Sequence, residues 1–454
     1  MRMPPTSGWV RLSFLLPTRY ILTSLYVKYV DGGGVKMPSF LVSNNGPLTG
    51  EVTISGAKNS VLPIMAASLL TDGTCILDDI PRLEDVEVMC ELLRHFGSKI
   101  SPEGKRFIID NKGIKNMPAP YELVRRMRAS FLVMGPLLSR YGRVKISLPG
   151  GCAIGTRPID LHLKGFAALG ADISLGHGFI EARSDKRLRG SSVYLDFPSV
   201  GATENIIMAA ALAEGQTIIE NAAEEPEIID LSNFINSMGG YVRGAGTDTI
   251  KIKGVDSLKG VAHTIIPDRI EAGTFMVAAA ITGGNILLKN VIADHLRPVE
   301  AKLKEVGIRI YEQEGGMRIR VEEPLRSIDL KTLPYPGFPT DMQAQMMALM
   351  CVLPGTSIIT ETVFENRFMH VSELKRLGAN IKIEGRSAVI EGVDYLMGTD
   401  VKATDLRAGA ALVLAGLCAY GQTRVSDIYH IDRGYEAMES KLKALGANIK
   451  RLSC

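Results

Sequence analysis

Leu442–Ile449 reads LKALGANI, and Leu374–Ile381 reads LKRLGANI, two nearly identical octets 68 residues apart. In each, an apolar stripe at helical spacing runs into a glycine, and an alternating segment follows. That is the signature of a helix closed by a left-handed residue and continued as a strand. Four looser copies precede them: Leu92–Ile100 (LLRHFGSKI), Phe166–Ile173 (FAALGADI), Phe234–Val242 (FINSMGGYV) and Leu303–Ile310 (LKEVGIRI). The glycines stand at 97, 170, 239, 307, 378 and 446, with spacings of 73, 69, 68, 71 and 68. A period this constant means one supersecondary unit used six times.

Each unit carries a second helix upstream, rich in alanine, methionine and leucine. These stretches are 61–70 (VLPIMAASLL), 130–138 (SFLVMGPLL), 205–213 (NIIMAAALA), 274–282 (TFMVAAAIT), 344–353 (AQMMALMCVL) and 409–420 (GAALVLAGLCAY). A helix apolar nearly all round is a buried helix. The expected fold is therefore α/β, with six helix–strand repeats of about 70 residues, three per domain, wrapping sheets around central helices. The polar starts of those helices are GAKN (56–59), RRMRAS (125–130), VGATEN (200–205), DRIEAG (268–273), PTDMQAQ (339–345) and TDLRAG (404–409). Helix N-termini attract anions. Were the helices of a domain parallel, three such starts would meet on one face, and two facing domains would enclose an anion-attracting cleft.

Length and composition agree. A chain of 454 residues exceeds one ordinary core. Apolar residues at 46% and charges at 22% describe a globular chain, and a net charge of +3 gives no case for nucleic acid. Six scattered cysteines without a CxxC argue against zinc or a disulfide framework and fit a reducing cytoplasm. The longest apolar runs, such as Ala408–Tyr420, are shorter than the ~20 residues of a membrane span. Residues 1–36 differ from the rest and make a poor signal peptide. They end in DGGGVKM, and a purine-rich ribosome-binding site read in frame would produce such glycines. Met37 is thus the expected native start, and 1–36 an extension that is non-native or disordered; intact mass of the native protein decides it.

One loop stands apart. Leu148–His162 reads LPGGCAIGTRPIDLH, with Cys152 between Gly150-Gly151 and Gly155, then Arg157, Asp160 and His162. A thiol on a glycine loop beside a cation is placed for chemistry. A tight loop with an incidental small residue explains it equally well.

Taken together and in order, GAKN, MRAS, LPGGCAIGTRPIDLH, FPTDMQAQ, ENRFMH, ATDLRA and HIDRGYE resemble the UDP-N-acetylglucosamine 1-carboxyvinyltransferases of the enolpyruvate transferase family. The resemblance covers about residues 37–454 and implies a two-domain inside-out α/β barrel, with domains 37–57 plus 268–454, and 58–267 carrying the Cys152 loop. It implies transfer of the enolpyruvyl group of phosphoenolpyruvate to the 3′-hydroxyl of UDP-N-acetylglucosamine by addition and elimination, the first committed step of peptidoglycan synthesis. Neither cofactor nor metal is implied, nor a nucleic-acid or membrane partner; oligomeric state stays open. By resemblance Cys152 is the proton donor, sensitive to the epoxide antibiotic fosfomycin, and Asp341 accepts the proton of the sugar hydroxyl. Lys58, Asn59, Arg128, Arg157, Arg407 and Arg433 hold phosphoenolpyruvate, Asp405 lies near the reacting carbons, and Arg367 is a further cleft residue. Pro158, Asp160, Leu161, His162, Ser199, Val200, Gly201 and Val363 line the nucleotide sugar together with Asn59, Arg128, Arg157 and Asp341.

Plainer readings stand beside these. Asp341 and Asp405 precede apolar helices, where aspartate is a favoured cap. Lys58 and Asn59 could merely start a helix, Arg433 could be an exposed charge at a helix start, Arg128 a solvated one, and His162 a loop or cap residue. Two rival functions share the architecture: the sister enzyme making 5-enolpyruvylshikimate 3-phosphate, against which the cysteine loop argues, and a non-catalytic nucleotide-sugar-binding paralogue, which should have lost Cys152, Lys58 or Asp341. A related cyclase of RNA ends would need a nucleotide-activating histidine, and no such motif is evident.

Overall fold

The computed structural model describes residues 38–148, 159–176 and 178–453. The expected start at Met37 and the extension before it lie outside these residues, as do Cys152, Arg157 and Pro158.

All six repeat glycines adopt a left-handed φ, between +92° and +111°. An L-residue with a Cβ resists that conformation, so glycine is what permits the turn. Each closes an amphipathic helix: Glu84–His95, Asp160–Ala168, Pro226–Ser237, Ala293–Val306, Val371–Arg376 and Met438–Ala444. The same pair of bonds recurs at every stop. At Gly446, for example, the Ala447 N–H donates to the Leu442 carbonyl and the Gly446 N–H to the Lys443 carbonyl. This is the Schellman arrangement, which satisfies carbonyls the helix leaves unpaired. A strand follows each time, from Lys99–Glu103 in the first repeat to Asn448–Leu452 in the last.

The strands form six separate sheets, and none closes on itself among the described residues. One plan serves all six. The strand after the buried helix takes a parallel neighbour on one side and an antiparallel hairpin on the other. In the repeat after Tyr141 the parallel neighbour shrinks to a bridge between Ala119 and Ile146. In the last repeat the central strand comes from the far end of the chain: Ser39–Ser43 lies antiparallel to both Gln422–Ser426 and Asn448–Leu452. Thr49–Thr53 likewise pairs in parallel with Asn285–Lys289.

The buried helices are Lys58–Ala67, Met134–Tyr141, Val200–Ala210, Arg269–Thr282, Gln343–Met350 and Leu406–Cys418. The second starts later than its apolar run because Pro136 has no N–H for a helix interior. Arg128–Val133 is a 3₁₀ stretch instead, and the α-helix begins where Pro136 falls in its first turn. The apolar core is double. One cluster gathers Phe40–Ile54 with Ile270–Ile449, and the other runs from Val61 to Ile265. Side chains such as Met347, Leu349 and Leu412 are completely enclosed, each worth ~1.5–3 kcal/mol of burial.

The chain passes between these two lobes twice, at Ser55–Lys58 and at Ile266–Asp268. The two crossings pair: the Ala57 N–H donates to the Ile266 carbonyl (2.7 Å) and the Asp268 N–H to the Ser55 carbonyl (2.8 Å). This two-stranded joint sits at the starts of two buried helices, so whatever moves the lobes acts on those starts directly.

Candidate active site

In the lobe holding both chain ends of the core, three helix starts carry aspartate; two cap their helices and one does not. Asp268 caps the Arg269–Thr282 helix, its Oδ1 accepting from the N–H groups of Ile270 (2.8 Å) and Glu271 (2.9 Å). Its Oδ2 accepts from the Lys58 N–H across the joint (3.1 Å). Asp405 caps the Leu406–Cys418 helix through the N–H groups of Arg407 (2.9 Å) and Ala408 (3.0 Å). Asp341 does not cap. It lies in the 3₁₀ turn Thr340–Met342, and its carboxylate is held by Arg367 Nη2 on Oδ1 (3.2 Å) and by Arg407 Nε (3.2 Å) and Nη2 (2.9 Å) on Oδ2. The cap reading is therefore right for Asp405 and wrong for Asp341, whose partners come from other elements.

Arg407 is buried beneath this contact, with the Tyr435 ring 5.3 Å from its guanidinium carbon. Burial opposes its charge, but Asp341, then Tyr435 and Asp268, outweigh burial and raise its pKa, so it stays protonated. Tyr435 is in turn fixed by Thr274 Oγ1 (3.1 Å) and Gln345 Nε2 (3.1 Å), both from central helices. Glu361 secures the neighbouring wall. Its carboxylate accepts from Thr332 Oγ1, Thr340 Oγ1 and the Val363 and Phe364 N–H groups. Thus one enclosed acid ties the Asp341 turn to Val363.

The opposite lobe presents cations and neutral donors at its helix starts. Lys58 Nζ lies 3.1 Å from Asp85 Oδ2, and Arg433 Nε lies 2.8 Å from Asp85 Oδ1. Arg433 belongs to the first lobe, where it follows the short Tyr429–Asp432 helix. It is not an exposed charge at a helix start, as the plainer reading had it, but a half-buried partner of an acid across the cleft. Asp85 is enclosed; burial pushes its carboxyl up, but Lys58 and Arg433 together hold it below the usual carboxylate range. Asn59 is half-buried beside Lys58.

Arg128 begins the 3₁₀ stretch, and its charge is close enough to disfavour protonation of the His162 ring. Asp160 and Leu161 open the helix that carries His162; Asp160 is exposed and Leu161 half-buried. Ser199 caps the Val200–Ala210 helix by accepting from the Ala202 N–H (3.4 Å). Gly201 packs against the His162 ring: a Cβ placed on it would lie 3.2 Å from Cε1 and 3.4 Å from Nε2. Val200 and Gly201 therefore sit in the first turn, whose N–H groups have no intrahelical acceptor. Two constellations emerge, one around Asp341 with Arg367 and Arg407, the other around His162 with Arg128, Ser199 and Gly201. Lys58, Asp85 and Arg433 join the lobes beside them.

Sequence reasoning missed three residues here. Asp85 sits on the apolar stripe of its helix with Val88, Met89 and Leu92, all enclosed. A carboxylate in a core register was the available signal. Arg269, half-buried, pairs with the enclosed Glu227 of the other lobe (3.0 Å) and feels the charge of Asp341. Asn205, deep in a buried helix, bonds His162. No group of acidic, histidine or cysteine side chains suited to a metal ion occurs among the described residues.

Helices inside, sheets outside, six copies of one plan and an acid–arginine cleft make up the architecture of an enolpyruvyl transferase. The family model described as EPSP synthase (3-phosphoshikimate 1-carboxyvinyltransferase) matches residues 42–442. The fold aligns with the enolpyruvyl transferase NikO from Streptomyces tendae at a TM-score of 0.83 and 25% identity, covering 92% of this chain and all of that one (100%). EPSP synthase from Acinetobacter baumannii shares the fold at a TM-score of 0.71 and 19% identity, over 92% of this chain and 100% of that one. A UDP-N-acetylglucosamine 1-carboxyvinyltransferase 1 of Caldanaerobacter subterraneus subsp. tengcongensis is 67% identical over 91% of this chain and 99% of its own. A UDP-N-acetylglucosamine 1-carboxyvinyltransferase 2 of Carboxydothermus hydrogenoformans is 62% identical over 92% and 100%. The chain belongs to the family of the UDP-N-acetylglucosamine 1-carboxyvinyltransferases.

Proposed function

We infer that this chain transfers the enolpyruvyl group of phosphoenolpyruvate to the 3′-hydroxyl of UDP-N-acetylglucosamine and releases phosphate, the first committed step of peptidoglycan synthesis. The observation that carries the reading is 67% identity to such a transferase over nearly its whole length. The site's geometry is consistent with it. Two domains, 37–57 with 268–454 and 58–267, are supported by the two separate cores. The reading places the reaction in the cytoplasm, which suits the free thiols Cys75, Cys90, Cys351 and Cys418. No helix among the described residues is long and apolar enough to cross a membrane.

The chemistry divides among the residues as follows. The methylene carbon of phosphoenolpyruvate gains a proton from Cys152, leaving a cation-like centre at the adjacent carbon. The sugar 3′-oxygen bonds to that centre while its proton passes to Asp341. The methyl then returns a proton to the Cys152 thiolate, the bond from the former cation-like carbon to the phosphate's bridging oxygen breaks, and phosphate leaves with the proton that Asp341 had taken up. Lys58, Arg128, Arg157, Arg407 and Arg433 hold the phosphate and carboxylate charges, with Asn59 beside them. Asp405, one oxygen of which caps its helix, faces the cation-like carbons with the other. Pro158, Asp160, Leu161, His162, Ser199, Val200, Gly201 and Val363 line the nucleotide sugar.

Phosphate release from phosphoenolpyruvate tests the reading, with UDP-N-acetylglucosamine and shikimate 3-phosphate as rival acceptors. Release with the sugar nucleotide alone is expected. Release with shikimate 3-phosphate alone would replace the acceptor and keep the fold. The Cys152 assignment has its own test: fosfomycin, with the sugar nucleotide present, should leave a covalent adduct on that thiol by mass spectrometry.

A further inference from the structure

Asn205 lies on the buried Val200–Ala210 helix, and its amide orientation follows from chemistry alone. Its Oδ1 accepts from the Gly135 N–H (2.8 Å), a group that can only donate. Its Nδ2 donates to the Phe131 carbonyl (3.0 Å), a group that can only accept. With both ends fixed, the second Nδ2 hydrogen reaches His162 Nδ1 at 3.0 Å. That nitrogen must accept, so it carries no proton, and the neutral ring's proton resides on Nε2. The approach is close enough to require glycine opposite: a Cβ on Gly135 would lie 2.4 Å from the Asn205 carbonyl oxygen and 2.8 Å from Oδ1. Phe131 packs edge-on against the ring, with centroids 5.0 Å apart.

We propose that Asn205 is a positioning residue that fixes His162 as its Nε2–H tautomer, so that the ring presents a neutral donor beside the first turn of the Val200–Ala210 helix. For the identity of the ligand, the sugar nucleotide, this rests on the functional reading above; the tautomer itself does not. Gly201, in that first turn, packs against the Cε1–Nε2 edge of the ring, so a proton on Nε2 lies beside the turn whose N–H groups lack intrahelical acceptors, and together they offer several uncharged donors to a diphosphate. Burial, helped by the Arg128 charge, pushes the imidazole pKa down to about 3, so the donor persists without becoming a cation across the working range. An imidazolium there would need a proton on Nδ1, where Asn205 already donates.

The experiment is a long-range proton–nitrogen correlation spectrum of the full-length, 15N-labelled chain, with His162 assigned by the signals lost in His162→Gln. A protonated Nε2 and a bare Nδ1, unchanged from about pH 5 to about pH 8, are expected. An Nδ1–H tautomer, or titration near the ordinary ~6.5, overturns the proposal. Asn205→Asp then substitutes an acceptor for the donor at constant size. The KM for UDP-N-acetylglucosamine should rise about tenfold or more, the worth of one well-placed hydrogen bond. The kcat and the KM for phosphoenolpyruvate should stay within about twofold. A variant with inverted tautomer and unaltered KM for the sugar nucleotide, or with loss in kcat alone, refutes the role. Should Asn205→Asp fail to fold, the wild-type spectrum still decides the tautomer, and Asn205→Ala, whose side chain has no donor, is read for the same split. A wild-type chain with the Nε2–H tautomer but no turnover of UDP-N-acetylglucosamine would sink the functional reading and leave the tautomer standing.

Discussion

The two lobes share one plan and oppose each other in charge at the same structural positions. Where one begins its central helices with Asp268, Asp341 and Asp405, the other begins them with Lys58, Arg128 and Ser199. Aspartate suits the positive end of a helix, and lysine or arginine does not. The first lobe is thus satisfied by its own side chains: two of its aspartates are caps and the third is gripped by Arg367 and Arg407. The second lobe's helix starts hold cations against the dipole, and an acid of its own core, Asp85, neutralises Lys58 while also reaching Arg433 of the first lobe. A lobe in that condition gains by receiving an anion. The difference teaches that a repeated scaffold can carry unlike charges at equivalent positions, acids at the helix starts of one lobe and cations or a neutral cap at those of the other.

Four substitutions sharpen or break that contrast. The largest effect is expected from Asp341→Asn, which keeps the turn but removes the proposed base; kcat for phosphate release should fall by about 10²–10⁴. A loss confined to KM would move the chemistry away from this lobe. Asp85→Ala removes the acid that neutralises Lys58 in the second lobe and leaves Lys58 and Arg433 facing each other. Breaking a buried pair from one side costs about 3–5 kcal/mol, and the partial exposure of Arg433 places the expectation near the lower bound, measurable by urea unfolding. A cost below about 1 kcal/mol would mean the cations need no relief.

Glu225→Gln probes the contact between lobes. Burial, reinforced by Glu227 and opposed by Arg269, pushes the Glu225 carboxyl up to about 7. A carboxyl whose folded pKa is raised contributes its stability at low pH and loses it as pH climbs from the unfolded value of about 4.3 through about 7. The variant should therefore melt higher than the wild type by about 2–4 °C at pH 8 and show little gain at pH 4, with calorimetry as the check. The smallest effect belongs to Ala437, a non-glycine residue at φ 48° before the Met438–Ala444 helix. Ala437→Gly should stabilise by about 0.5–1 kcal/mol, the left-handed strain relieved less the extra chain entropy of glycine.

Much of the fold was legible because it rests on local chemistry. Six glycines at a fixed period mark six Schellman stops, and all-apolar helices can only be central. A further periodic mark went unread: Asp79, Asn221, Asn290 and Asp427 take left-handed φ after the strands of four repeats, a conformation that Asn and Asp tolerate best after glycine. The site was legible by family resemblance rather than by physics. Asp341 precedes an apolar helix just as Asp405 does, and only Arg367 and Arg407, 26 and 66 positions away, distinguish a gripped acid from a cap. Asp85 meets Arg433 across 348 positions, and Asn205 meets His162 across 43. Local pattern carries no information about such pairs, although the placement of Asp85 on an apolar stripe hints at one.

The strand Ser39–Ser43, laid between the last two strands of the chain, sets an order on synthesis. A ribosome delivers 58–267 as a contiguous stretch with its own core, able to fold while translation continues. The first strands, made before it, have no sheet to join until Asn285–Lys289 and then Gln422–Ser426 and Asn448–Leu452 emerge. Nascent chains should therefore mature from the middle outward, with the strands Ser39–Ser43 and Thr49–Thr53 among the last to find their places.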